Sequence, residues 1–328
     1  MHDAPGQDHA PAGTATHAGS ATHAGTATPI ETATHAGSAT LAGPASHAGR
    51  LLRKASAPAA DGTIVAFDAA SAGWEYVDFA AYRLRPGQRA TRPADSHERL
   101  VLVLEGRAGV RVGDSDLGIV GSRDTVFDGP PPPVVLVAPG RAVEVTAATD
   151  ALVVLAGAPG GPTRRTALVP PDEVLVEARG SGQTARRIHH LLPPGAEAGR
   201  LIAFEVFTPG GNWSSYPPHK HDTEDPPTEA RLEELYFYRF ARPQGFAFAR
   251  VYTPDRSLDE VMAPTDGDVV LVPYGYHPVG VPSGYDCYYL NVMAGPNRAW
   301  HFTIDPDHAW LMNWDPAAPK TAQEEAPR

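Results

Sequence analysis

Two histidines one residue apart, His219 and His221, stand near the start of Tyr216–Arg239, YPPHKHDTEDPPTEARLEELYFYR. Two carboxylates, Glu233 and Glu234, follow at the head of its aromatic run, and a later histidine, His277, ends the stretch GDVVLVPYGYH. Alternate side chains of a β-strand share a face, so a His-x-His step turns both imidazoles into one space. A carboxylate from the next strand and a third imidazole would complete a nitrogen and oxygen donor set. Such a set suits a divalent transition metal that keeps a position open for a ligand.

Ligands of this kind need strands to hold them, and the surrounding chain reads as strands. Its 34 prolines and 32 glycines favour short strands joined by turns over helices. The first half carries the runs Trp74–Leu84, Arg99–Leu104, Ala108–Val112, Pro133–Val137, Val143–Thr146 and Leu152–Leu155 between turn signals. It has the rhythm of a barrel or sandwich without an HxH step, and predicts a structural barrel over residues 51–160. Residues 161–200 read as a connector with a basic cluster of Arg186, Arg187, His189 and His190. Residues 201–316 form a second run of strands, richer in aromatics, which would fill a barrel and leave a cleft above the metal. Residues 1–50, with HAG recurring beside little apolar side chain, predict a disordered low-complexity tail, and 317–328 a C-terminal tail.

Composition narrows the function. The formal charge of −11 disfavours nucleic acid as a partner. The single Cys287 rules out an intramolecular disulfide and fits a reducing compartment. No stretch approaches about 18 consecutive apolar residues, and the N-terminus lacks an apolar signal segment, so a cytoplasmic protein without a membrane span is expected.

The glycine turn, apolar strand, Pro-x-Gly turn and histidine of Gly267–His277 resemble the second sequence box of the cupin barrels, and HKH with a following Glu resembles the first. Gly275 and His277 are one residue closer than in the usual box, and the insertion DTEDPPTEARLE lengthens the first. A polar, Pro-rich loop can absorb such an insertion without moving its flanking strands. Taken with SAGWEYVDFAAYRL, TPGGNWSSYPPHKHD, QGFAFARVYT and GYDCYYLNVMAGP, the chain from about 60 to about 315 resembles the 5-deoxy-glucuronate isomerase family of bacterial myo-inositol catabolism.

That resemblance implies an all-β bicupin and conversion of 5-deoxy-D-glucuronate to 5-dehydro-2-deoxy-D-gluconate. It also implies a divalent ion, zinc or manganese, on His219, His221, Glu234 and His277. Glu234 is preferred over Glu233 because it directly precedes the aromatic strand. Aldose–ketose isomerisation needs a proton shuttle, for which Glu233, Tyr276 and Tyr238 are the candidates. Strand alternation counts against Glu233 unless a bulge intervenes. The substrate carboxylate calls for a cationic clamp, for which Arg250, Arg239, Lys220 and Arg187 or a neighbour are available. Lys220, between the two histidines, and Arg239 should point outward, which ranks Arg250 first. A homodimer is plausible. The competing readings are isomerisation of a related deoxy-uronate, a cupin dioxygenase, and a non-catalytic cupin that binds a sugar acid.

Overall fold

A computed structural model describes residues 51–161 and 165–314. The expected tails, 1–50 and 317–328, lie outside the described residues. The first half folds as two sheets. A six-stranded sheet runs Ala167–Val169, Val134–Val137, His97–Glu105, Ala151–Pro159, Asp78–Leu84, Thr63–Phe67. A four-stranded sheet, Arg89–Arg92, Val143–Ala147, Ala108–Val112, Ser115–Val120, closes over it. Gly106, at φ 77°, makes one of the turns that permit this; a side chain there would strike the Asp150 carbonyl.

The second half repeats the plan. Its seven-stranded sheet runs Leu52–Arg53, Val269–Val272, Glu233–Phe240, Cys287–Ala294, Ile202–Thr208, Arg186–Leu192, Leu175–Arg179. A four-stranded sheet of Trp213–Ser214, Val279–Gly280, Phe248–Tyr252 and Asp259–Met262 accompanies it. Two barrels of short antiparallel strands are the bicupin that the resemblance implies.

The apolar run Arg99–Leu104 lacks a polar face because both of its faces are buried. Val101 and Val103 fill the first barrel's interior, while Leu100, Leu102 and Leu104 join a core shared with the second barrel. There Phe79 meets Phe237 with ring centroids 5.7 Å apart. Truncating one such leucine to alanine costs about 2–5 kcal/mol, because the cavity cannot fully collapse. A buried ionic knot crosses the same interface: Arg123 pairs with Glu205, which also holds His189 Nδ1 at 2.9 Å and accepts from the Tyr288 hydroxyl at 2.8 Å.

Segment 161–200 is not a free connector. Ala167–Val169 extends the first barrel's large sheet, and Leu175–Arg179 with Arg186–Leu192 extends the second's. Leu52–Arg53, at the start of the described chain, pairs with Val269–Val272 of the second barrel. Arg186–Leu192 is buried at Ile188, His189, Leu191 and Leu192. Among the described residues no helix is long and apolar enough to cross a membrane.

Candidate metal centre

The strand Glu233–Phe240 lies between Val269–Val272 and Cys287–Ala294, which makes it interior to the large sheet. Alternation turns Glu234, Tyr236 and Tyr238 into the second barrel, and Phe237 toward the first. His277 arrives over a tight turn whose Gly275, at φ 91°, packs so closely that a Cβ would lie 2.6 Å from the Tyr252 carbonyl oxygen. The Gly275 N–H donates to Asp222 at 2.8 Å, tying this turn to the histidine strand His219–Lys220.

The long insertion between His221 and the glutamates folds back on itself. Glu229 accepts from Lys220 Nζ and from the backbone N–H groups of Asp222 and Thr223, each at 2.8 Å. The Leu232 N–H then donates to the His221 carbonyl at 2.9 Å.

Each imidazole is oriented through its Nδ1. His219 Nδ1 lies 3.0 Å from the Pro217 carbonyl, His221 Nδ1 3.2 Å from that of Leu232, and His277 Nδ1 2.9 Å from that of Gly275. A carbonyl only accepts, so these contacts assign the proton to Nδ1 and leave the Nε2 lone pair facing inward. His221 Nε2 is 2.8 Å, and His277 Nε2 3.0 Å, from the same oxygen, Glu234 Oε2. All three residues are buried, and His277 Nε2 has no hydrogen-bond partner. Two lone pairs aimed at a carboxylate repel unless a cation sits among them, so the donor set fits a metal ion. On the far side, Asn291 donates its amide to Glu234 Oε1.

His219 stands beside this group of three. Its ring centroid is 4.9 Å from that of His277 and 6.4 Å from that of His221, and it forms part of the cavity wall. Burial, with His277 and His221 adding to it, pushes the His219 pKa down to about 3, so at neutral pH its ring is uncharged. Burial alone would raise the Glu234 carboxyl, but its contacts with His277 and His221 hold it well below the usual range. Tyr236, also on the cavity wall, has its pKa driven well above 10 by burial and then by the Glu234 charge. Its hydroxyl lies 3.4 Å from Ser215 Oγ, and Ser215 has the strained positive φ of 51°.

Several expected roles are not supported by this geometry. Glu233 turns the other way, as alternation requires, and accepts from the Glu75, Tyr76 and Val77 N–H groups at 2.6, 2.9 and 3.0 Å. Both of its oxygens are thereby committed to first-half backbone, and no bulge redirects it. Tyr276 packs on Tyr252, with centroids 5.3 Å apart, opposite to its neighbour His277. Tyr238 lies two residues beyond Tyr236 on the same strand, and its buried hydroxyl has no hydrogen-bond partner among the described residues.

The clamp candidates fare similarly. Arg250 makes a two-pronged pair with Asp259 at 2.7 Å on the outer surface. Arg239 is held by Asp266 and Glu105, each at 2.7 Å. Lys220 is engaged by Asp222 at 2.6 Å and Glu229. Arg187 is exposed over the Phe207 ring. Its neighbour Arg186 faces the cavity, together with Arg179 and Trp300. Asn291 and Arg186 were the residues least evident beforehand. The signal for Asn291 is a lone polar residue inside the apolar strand YYLNVMAG; for Arg186 it is the face shared with Ile188.

The chain is similar to known proteins over most of its length. The KduI/IolB family pattern matches residues 51–311. A 5-deoxy-glucuronate isomerase of Geobacillus thermodenitrificans is 47% identical over 263 residues, covering 80% of this chain and 96% of the relative. That of Listeria monocytogenes is 45% identical over 242 residues, covering 73% and 89%. The crystal structure of an IolB-like protein from Salmonella typhimurium superposes with a TM-score of 0.77 at 44% identity, over 80% of this chain and 99% of that one. With the match spanning both barrels and the candidate metal centre, the chain belongs to the KduI/IolB family.

Proposed function

We propose that the chain is a 5-deoxy-glucuronate isomerase of inositol catabolism, an aldose–ketose isomerase acting in the cytoplasm. In this reading residues 201–316 carry the chemistry and residues 51–160 support them. The observation that carries it is the convergence of His221 Nε2 and His277 Nε2 on Glu234 Oε2 at the base of a cavity, in a chain 47% identical to named isomerases. His221, Glu234 and His277 would hold the ion, with His219 as the fourth ligand, and a donor set without thiolate suits zinc or manganese. When bound, such an ion draws electron density from a substrate carbonyl and offsets negative charge that develops on its oxygen.

The chain's own residues do the rest. Tyr236 keeps its phenolic proton at neutral pH, which makes it a donor toward the substrate oxygen rather than a base. Ser215 fixes the direction of that hydroxyl. Asn291 orients the Glu234 carboxylate, and the three backbone carbonyls hold the imidazoles in one tautomer. Phe204, Val206 and Trp300 line the same cavity and limit the water that reaches a reacting carbon. A homodimer is compatible with this arrangement. An NMR time course with 5-deoxy-D-glucuronate tests the reading: the aldehyde and hemiacetal signals should give way to a ketone, and no conversion by folded, metal-replete protein would overturn it.

A further inference from the structure

The cavity mouth, about 450 Å³ and bordered by Tyr216, His219, Trp300 and Trp314, contains two arginines on one face of the sheet edge. Arg179 and Arg186 are direct cross-strand partners. Like charges placed opposite each other on one face destabilise a sheet unless a counter-charge lies between them. Glu177 supplies that charge for Arg179, with two contacts of 2.8 Å, and it also holds His190 Nε2 at 2.8 Å. Glu177 acts on Arg186 only through space. The Arg186 Nη1 donates to the Thr184 carbonyl at 2.8 Å, and among the described residues no carboxylate pairs with it. Its surroundings disfavour its charge, chiefly through burial, with Arg179 adding to the effect. Trp300 buttresses the pair, with the Arg179 guanidinium 5.4 Å above its ring. A half-buried guanidinium with an open fork beside a second cation is a receptor for a carboxylate.

We infer that Arg186, with Arg179 beside it as a second cation, receives the substrate's carboxylate while the opposite, carbonyl end of the same molecule lies at the His221–Glu234–His277 centre. This assignment rests on the isomerase reading. In a six-carbon uronate the carbonyl and the carboxylate occupy opposite ends, and His219 and Arg186 border both the small inner cavity at Glu234 and the wider mouth. Arg186 thus sets specificity for an acid over a neutral sugar. It is a binding residue and takes no part in proton transfer.

The test compares wild type with Arg186→Ala and Arg186→Lys, all metal-loaded, on 5-deoxy-D-glucuronate and on its neutral counterpart bearing a hydroxymethyl group in place of the carboxylate. Arg186→Ala should lower kcat/KM for the acid roughly 10- to 100-fold, mainly through KM, as expected for a lost charge-assisted pair. The neutral sugar should lose far less than the acid, and Arg186→Lys should recover part of the loss on the acid. An equal loss on both substrates, or none on the acid, overturns the assignment. Calorimetric titration with D-glucuronate and D-glucose gives a second readout that needs no turnover. If wild type converts neither substrate, the isomerase reading fails, and the clamp stands or falls on this titration. Tighter binding of the acid, abolished by Arg186→Ala, supports it; equal binding of acid and neutral sugar by wild type overturns it. Should Arg186→Ala not fold, Arg186→Gln carries the same comparison.

Discussion

Replacing Asn291 by leucine separates the positioning of the metal ligands from the stability of the barrel. Asn291 is buried, donates its amide to Glu234 Oε1, and leaves its own Oδ1 without a partner. Leucine of similar volume removes that donor, leaving Glu234 Oε1 buried and unsatisfied at a cost of about 1–3 kcal/mol. It also removes the unpaired Oδ1, which returns a similar amount. The melting temperature should therefore move by only a few degrees. Metal affinity should not be spared, because Glu234 Oε2 is aimed between His221 and His277 through the hold on its other oxygen. Loss of an outer partner typically weakens metal binding about 10- to 100-fold, equivalent to about 1.4–2.8 kcal/mol. Competition titration against a chelator of known affinity, with melting followed in parallel, reads both quantities. Unchanged affinity, or a collapse in stability with affinity intact, would refute the role given to Asn291.

Other substitutions divide chemistry from support. Glu233→Gln should leave kcat within a few-fold of wild type while costing about 1.5–3 kcal/mol by denaturant unfolding, because its carboxylate binds three backbone N–H groups of the first half; a collapse of kcat in folded protein would restore it as the base. Tyr236→Phe should lower kcat by roughly 10²–10⁴ with metal occupancy unchanged, as measured by steady-state kinetics and metal analysis. Glu205→Gln should destabilise the protein by about 3–5 kcal/mol, since Arg123 is left buried without its charge partner. Burial alone would raise the Glu205 carboxyl, yet Arg123 and then His189 hold it below its ordinary range. Such a depressed carboxylate contributes stability above its unfolded pKa of about 4.3 and loses it as pH falls through the folded value. The gap between wild type and Glu205→Gln should therefore close in unfolding experiments below about pH 4.

Much of the second barrel's site was legible because strand periodicity is short-range physics. The HxH step, the aromatic strand after Glu234 and the glycine turn before His277 each name a face without any knowledge of distant contacts. Alternation alone turned Glu233 away, and the structure shows what occupies it: backbone N–H groups 156–158 residues earlier in the chain. No local pattern could supply that partner. The partners of the clamp candidates likewise come from outside their own strands. Lys220 and Arg239 were expected to point outward and Arg250 inward, and in the fold Asp259 pairs with Arg250, Asp266 and Glu105 with Arg239, and Glu229 with Lys220. Arg186 emerges once the partners are known, as a cavity-facing cation with no carboxylate paired to it among the described residues. Segment 161–200, read as a connector, supplies the edge strands Ala167–Val169 and Leu175–Arg179 and the strand Arg186–Leu192, a role that the order of strands in the sheets reveals.

Chelation followed by restoration tests the central claim most directly. Purified protein stripped of divalent ions should convert no 5-deoxy-D-glucuronate in an NMR time course, and one equivalent of zinc or manganese should restore ketone formation. His221→Ala should block that restoration. Full turnover by metal-free wild type, or by a His221→Ala variant that binds no metal, would contradict the account.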